Sequence, residues 1–184
     1  MGKLNLSTIN RYISCIRGYH QYLIQSDLVS IDASQLIEQF RSQRKMPVTL
    51  LVEEIDRIIQ SVDISKKYGL RDKAILILLY SSGLRVSELT NLQLKSLLLT
   101  EGFVRIMGKR SKERIVPVGN KATLEINNYL TSMRPDILKS EKSSGYVFLN
   151  KNGFKLSRMS IWNIIRQNSI AAGINKKVSP HVLR

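Results

Sequence analysis

The stretch "LLYSSGLRVSEL", residues 78–89, decides how the chain folds on either side of it. The apolar run "LRDKAILILLYSSG" from Leu70 predicts a helix that ends at Gly83, because glycine tolerates the backbone conformation of a helix end. The run "RVSELTNLQ" after Gly83 predicts a second, short helix. Arg85 and Glu88 are three residues apart in it, so they can pair and the carboxylate can orient the guanidinium.

Two runs downstream of this turn have the pattern of β-strands. They are "GFVRIM" and "RIVPVG", joined by the polar turn "GKRSKE", so together they predict an antiparallel hairpin. Four cations cluster at the hairpin tip: Lys109, Arg110, Lys112 and Arg114. Such a cluster can enter a DNA groove and present a proton donor to a phosphate, or it can be an ordinary solvated turn. Both interpretations stay open at this point.

The rest of the second half continues this mixture of elements. We predict helices over 49–62, with Thr49 as the cap, over 120–133 and over 157–172, and a short strand at "YVFLN", residues 146–150. The fold class predicted for the chain is therefore mainly α with a small antiparallel β-sheet, an α+β arrangement.

The first forty residues predict one amphipathic helix from Asn5 to Leu28. Its apolar residues recur at spacings of three and four: Leu6, Ile9, Ile13, Ile16, Tyr19 and Leu23. Arg11 and Arg17 occupy the other face, where they either contact phosphates or stay in solvent. A single helix is too little for a domain, so its apolar stripe must pack against something.

A change in composition separates this helix from the rest. Arg41, Arg44 and Lys45 form a basic run, and Pro47 interrupts any helix. We therefore predict a linker at 41–47 between a segment 1–40 and a domain 48–184. The basic run is either a solvated segment or a segment that lies along DNA phosphates.

The charge balance indicates a polyanionic partner. Against 29 Lys and Arg there are 14 Asp and Glu, which leaves a formal charge of +15. Such an excess favours nucleic acid through the release of counterions. The single Cys15 excludes a disulfide framework and a cysteine-rich zinc site, and we expect it to be a small buried residue. No apolar run reaches the ~18 residues of a membrane span, so we expect no membrane partner and a cytoplasmic protein.

The segment "SPHVLR", residues 179–184, adds a third polar motif. Ser-Pro precedes a predicted helix start, so His181 and Arg184 would lie near its positive end and on one face, where they suit an anion. A lone histidine at a helix start is more often a cap or a core residue. The motif gains weight only with the other two.

Taken in order, three motifs resemble the tyrosine recombinase family, also called phage integrases, and in particular its Xer-like members. They are "YSSGLRVSELTNL", "VRIMGKRSKERIVPVG" and "VSPHVLR", supported by "YGLRDKAILILLY" and "YVFLN". The resemblance runs from about Leu6 to Arg184. It implies a recombinase catalytic domain at 48–184 and, at 1–40, the last part of a helical DNA-clamping (core-binding) domain.

The resemblance assigns roles position by position. It implies that Arg85, Lys109, His181 and Arg184 are catalytic and that Glu88 supports Arg85. In the family a tyrosine attacks a DNA phosphate, forms a 3′-phosphotyrosine bond and frees a 5′-hydroxyl, with no metal or other cofactor. Implied partners are double-stranded DNA and other recombinase protomers, and an Xer-like member would work on the nucleoid.

The family's nucleophilic tyrosine follows the His-x-x-Arg box, whereas all seven tyrosines here precede it. From the sequence we therefore expect a fragment that lacks the nucleophile, binds duplex DNA in a salt-sensitive way and forms no covalent adduct. We expect this fragment to be inactive as an enzyme on its own. The alternatives are a non-catalytic DNA-binding module that inhibits recombination and a basic helical transcription regulator. Chromosome-dimer resolution and mobile-element integration both fit the motifs.

Overall fold

The structure is a computed structural model that describes residues 4–40, 48–108, 112–139, 141–143 and 145–183. It divides into two compact units, Met1–Pro47 and Val48–Arg184. The α-helices are α1 (Leu6–Gln25), α2 (Val52–Gln60), α3 (Gly69–Ser82), α4 (Val86–Thr90), α5 (Asn120–Ser132), α6 (Arg134–Ile137) and α7 (Arg158–Ala171). The strands are β1 (Leu97–Leu98), β2 (Phe103–Met107) and β3 (Glu113–Pro117).

The first unit contains α1 and a short 3-10 turn at Ala33–Leu36. Asn5 caps the helix, because its Oδ1 accepts the Ser7 N–H at 3.3 Å. The amide of Asn10 fastens the following loop: Nδ2 donates to the Phe40 carbonyl at 2.7 Å, and Oδ1 accepts the Phe40 N–H at 3.1 Å. The predicted helix is confirmed and ends at Gln25 rather than Leu28.

The apolar stripe of α1 is mostly exposed. Ile13, 5% exposed, is the buried hydrophobic residue among residues 4–40, whereas Tyr19 is 61% exposed. Cys15 is exposed too, which makes the expectation of a buried thiol wrong. The physical reason is the small opposing surface: within this unit one helix meets one short turn.

The second unit is built around α3, which is buried on nearly every side. Ala74, Ile75, Leu76 and Leu78 are all fully buried, as the continuous apolar run requires. Helices α2, α5 and α7 pack around α3 and share its core. The predicted helices are confirmed here with small shifts of their ends.

The start of α2 differs from the prediction. Its cap position is Leu51 rather than Thr49, because the Glu54 carboxylate turns back and accepts the Leu51 N–H at 2.8 Å. Lys176 holds the same carboxylate at 2.7 Å and donates to the Thr49 carbonyl at 3.2 Å. The polar neighbours of Glu54 therefore set where this helix begins.

The sheet is antiparallel in the order β1-β2-β3. Strands β2 and β3 form the predicted hairpin, with Val104 opposite Val116 and Ile106 opposite Arg114. Val104 and Ile106 point into the core, so the alternate residues of β2 face outward. The mainly helical class with a small antiparallel sheet is confirmed.

The segment "YVFLN" is not a strand. It makes two single bridges, Gln93 with Tyr146 and Leu149 with Lys155. Buried side chains bind the carbonyls of Tyr146, Val147 and Leu149, and the Val147 N–H donates to the backbone carbonyl of Leu92 at 2.9 Å.

Three side chains supply these contacts. The guanidinium of Arg134 donates to the Tyr146 carbonyl, with Nη2 at 2.7 Å. The Tyr129 hydroxyl donates to the Val147 carbonyl at 3.1 Å, and Arg71 Nη1 donates to the Leu149 carbonyl at 3.0 Å. Since buried backbone groups must be paired, these side chains complete the hydrogen bonding of a segment that forms no continuous ladder.

The predicted helix start at His181 is a turn in the structure. The Ser179 carbonyl accepts the Val182 N–H at 2.9 Å, and residues 180–182 form a turn. Leu183, 2% exposed, anchors this turn in the core. Within the described ranges, no helix is both long enough and apolar enough to cross a membrane.

Candidate active site

Arg85 stands at the junction of α3 and α4. Helix α3 ends at Gly83, whose φ of 54° and ψ of 34° lie in the left-handed region, as the sequence predicts for this glycine. Leu84, 1% exposed, anchors the junction in the core. Arg85 then takes an extended backbone conformation just before α4, and its side chain is 53% exposed. A packed junction therefore presents a largely exposed guanidinium.

Glu88 lies one turn into α4 and binds Arg85 twice. Its Oε2 accepts the Arg85 backbone N–H at 2.8 Å, and its Oε1 accepts from Arg85 Nη1 at 3.1 Å. The pair predicted from the spacing of three residues is present. The backbone contact also caps the helix, so one carboxylate fixes the start of α4 and the arginine that precedes it.

Arg114, on strand β3, holds the same carboxylate from the other side. Its Nη1 donates to Glu88 Oε1 at 2.8 Å, and its Nη2 donates to Oε2 at 2.8 Å. This is a bidentate contact, in which a planar guanidinium matches both carboxylate oxygens. With 7% of its side chain exposed, Glu88 lies between two arginines.

These hydrogen bonds change the pKa values of Glu88 and Arg114. The hydrogen bonds from Arg114, followed by those from Arg85, lower the pKa of Glu88 from 4.5 to about 2, although burial opposes the shift. Glu88 in turn raises the pKa of Arg114. At neutral pH the cluster of two guanidiniums and one carboxylate therefore carries a net positive charge, which suits an anion.

An open cleft of about 790 Å³ lies beside Glu88. It is lined by Arg85, Ser87, Glu88, Asn91, Leu92, Gln93, Lys95, Ser96, Arg105, Ile106, Met107, Gly108, Glu113 and Tyr146. Most of these side chains are polar, as expected for a surface that meets a charged partner. Within the ranges that the structure describes, no group of three or more His, Cys, Asp or Glu could hold a metal ion.

Lys95 and Arg105 are cleft cations that the motifs did not identify. Arg105 could have been found from the alternation of apolar and polar residues along β2. Val104 and Ile106 face the core, which places Arg105 on the outer face of the strand. Its Nε lies 3.9 Å from a carboxylate oxygen of Glu113. The sequence contains no comparable signal for Lys95, whose 3-10 turn is not periodic.

The structure brings together only part of the predicted set. Arg85, Glu88 and Arg114 share one cluster. Lys112 lies beside it in the hairpin, where its carbonyl accepts the Gly108 N–H at 2.8 Å. His181 lies exposed in the turn near the end of the described chain. The remaining predicted residues of this domain and of the linker lie outside the described ranges: Lys109, Arg110, Arg184, Arg44 and Lys45.

Arg11 and Arg17 belong to the first unit. Arg11 is exposed, whereas Arg17 is half-buried and donates from Nη2 to the Ile37 carbonyl at 2.6 Å. The structure thus gives Arg17 a contact within its own unit. DNA contacts by either arginine remain predictions.

Residues 49–184 match the sequence model of the phage integrase family, and the chain belongs to that family. It is 41% identical over 178 residues to tyrosine recombinase XerD of Oceanobacillus iheyensis, covering 97% of this chain and 60% of the relative. It is 40% identical over 177 residues to XerD of Staphylococcus aureus strain Mu50, covering 96% of this chain and 60% of that relative. The chain thus spans about 60% of the length of these relatives.

Solved structures give the same class of fold. The XerH site-specific recombinase bound to a palindromic difH substrate matches with a TM-score of 0.78 at 20% identity, over 98% of this chain and 54% of that one. The Tn1549 transposon integrase in complex with a circular intermediate DNA matches with a TM-score of 0.77 at 14% identity, over 98% of this chain and 65% of that one. XerA recombinase matches with a TM-score of 0.65 at 28% identity, over 91% of this chain and 56% of that one.

Proposed function

We propose that this chain acts in site-specific DNA recombination, as part of an enzyme that cleaves and rejoins strands through a 3′-phosphotyrosine bond. None of the seven tyrosines of this sequence is proposed as the nucleophile, so we expect the chain alone to bind duplex DNA without forming a covalent adduct. The observation that carries the proposal is the cluster of Arg85, Glu88 and Arg114, which has a net positive charge and presents the oriented guanidinium of Arg85 beside an open polar cleft. Membership of the phage integrase family and 40% identity to proteins named tyrosine recombinase XerD support it.

The chemistry explains why arginine serves at position 85. As the nucleophile attacks phosphorus, negative charge grows on the two nonbridging oxygens. A planar guanidinium donates two parallel hydrogen bonds to such oxygens and stays charged at any working pH. Arg85 is held in place before the DNA arrives, so little reorganisation is needed when the charge develops. Arg184 would supply the second guanidinium.

The leaving group determines the role of the hairpin lysine. In the proposed step the oxygen of the nucleophilic tyrosine, to which no residue of this sequence is assigned, bonds to phosphorus, and the bond from phosphorus to the 5′-oxygen breaks. The departing oxygen needs a proton, which Lys109 would donate as a general acid. His181 would hold the phosphate or accept the proton of the nucleophile. No metal ion or organic cofactor enters this scheme.

The proposed partners are double-stranded DNA and further recombinase protomers. The charge of +15 supports a salt-sensitive contact with phosphates. Candidate phosphate contacts are Arg11, Arg17, Arg44, Lys45, Arg110 and Lys112. In this scheme residues 1–40 form part of a DNA clamp, 41–47 form a linker and 48–184 form the catalytic domain, working in the cytoplasm on the nucleoid.

A deletion assay in cells tests the function. DNA fragments that bind the protein are selected and sequenced, and two copies of the preferred site are placed on a plasmid. Cells that make the natural gene product should delete the intervening DNA. Arg85→Ala should lower deletion by about 100-fold or more, as the loss of one transition-state donor does.

The matched control is Arg57→Ala, which removes an exposed arginine of α2 that does not line the cleft. We expect deletion at the wild-type level. Equal deletion by wild type and Arg85→Ala, or the absence of any preferred site, would overturn the proposal.

A further inference from the structure

We propose that Arg114 is a positioning residue: it binds Glu88 so that this carboxylate orients Arg85 without neutralising it. The sequence suggests another role for Arg114, as one of four hairpin cations that reach for DNA. In the structure both of its terminal nitrogens are instead bound to Glu88. The inference rests on the proposed function, in which Arg85 binds a DNA phosphate.

The first argument is geometric. A bidentate contact fixes the plane of a carboxylate as well as its distance, which a single hydrogen bond does not do. Glu88 is nearly buried, so its oxygens cannot turn away to solvent at little cost. Because Arg85 binds those same two oxygens, the plane that Arg114 sets also sets the direction of the Arg85 guanidinium.

The second argument concerns charge. A carboxylate paired only with Arg85 would cancel the charge that must attract a phosphate. The side chain of Arg114 makes two contacts of 2.8 Å to Glu88, whereas the side chain of Arg85 makes one of 3.1 Å. Arg114 therefore takes the larger share of the carboxylate's charge. Arg85 remains oriented but net cationic.

The third argument concerns the elements that are joined. Arg114 belongs to β3 and Glu88 to α4, 26 residues earlier in the chain. The ion pair thus ties the tip end of the hairpin to the helix that follows Arg85. Lysine would be a poor replacement, because an ammonium is a point charge and cannot match both oxygens in one plane.

A double-mutant cycle on DNA affinity tests the inference. Kd for a short duplex is measured for wild type, Arg114→Gln, Arg85→Ala and the double variant. If Arg114 acts through Arg85, Arg114→Gln weakens binding by about 5–10-fold alone but by less than about 2-fold when Arg85 is already gone. Arg114→Lys should fall between wild type and Arg114→Gln.

Lys112→Gln is the matched control, because it removes one exposed cation from the same hairpin. Its loss of affinity should add fully to that of Arg85→Ala, as expected for an independent phosphate contact. If the loss from Arg114→Gln also adds fully, Arg114 contacts DNA directly and the inference is overturned.

A second readout needs no DNA and separates this inference from the proposed function. NMR of the arginine guanidinium groups reports whether Arg85 is held. We expect distinct, slowly averaging Arg85 signals in the wild type and averaged signals in Arg114→Gln and Arg114→Lys, at temperatures where each is folded. Unchanged Arg85 signals would overturn the inference, whereas wild-type protein without salt-sensitive DNA binding would overturn the proposed function.

Discussion

The two units of the chain each contain an apolar helix but bury it very differently. In the second unit α3 is buried along nearly its whole length, with Ala74, Ile75, Leu76 and Leu78 fully buried. In the first unit α1 follows a regular apolar spacing, yet Tyr19 stays 61% exposed. The difference teaches that periodicity establishes a helix and its apolar face, whereas burial requires an opposing surface.

The same contrast explains where the candidate site stands. Leu84 and Leu89, each 1% exposed, flank Arg85 and Glu88 and anchor them in the larger core. A site built on packed elements holds its side chains in place with little cost in entropy. Arg17, by comparison, uses its guanidinium to hold the loop of its own unit at Ile37.

The largest expected effect tests the difference in burial between the two units. Leu78→Ala removes a fully buried side chain of α3 and should lower the free energy of unfolding by about 3–4 kcal/mol. Leu36→Ala, the matched control in the first unit, removes a side chain that is 91% exposed and should cost less than about 0.5 kcal/mol. Urea denaturation measures both, and equal losses would refute the contrast between the units.

Glu88→Gln should have a smaller effect. It should lower the free energy of unfolding by about 1–3 kcal/mol near neutral pH, because two guanidiniums lose their carboxylate. The folded-state pKa of Glu88 is lowered from 4.5 to about 2, so the stabilisation is fully present above pH 4.5 and is lost as the pH falls through about 2. The stability gap between wild type and Glu88→Gln, followed by urea denaturation against pH, should therefore narrow in acid. A gap that stays constant with pH would contradict this assignment.

Local signals in the sequence account for much of the fold. Gly83 predicts the end of α3, the spacing of Arg85 and Glu88 predicts their pair, and the alternation around Val104 predicts the hairpin. Each of these signals depends on residues that are near in sequence. The energetic reason is that turns, caps and helical pairs are decided within one or two turns of chain.

The features that sequence reasoning missed depend on contacts between distant residues. The bond from Arg114 to Glu88 spans 26 residues, and that from Arg71 to the Leu149 carbonyl spans 78. The first gives a hairpin cation a partner, and the second helps to hold a segment that otherwise has the pattern of a strand. The exposure of Cys15 was missed for a related reason, since the helix pattern contains no information on what faces it.

The most direct test of the central claim, that the Arg85 cluster binds DNA phosphate, is the salt dependence of duplex affinity. Log Kd is measured against log salt concentration for wild type, Arg85→Ala and the control Arg57→Ala. We expect weaker binding and a slope reduced by about 1 for Arg85→Ala, and both values unchanged for Arg57→Ala. An Arg85→Ala variant with the affinity and slope of the wild type would contradict the account.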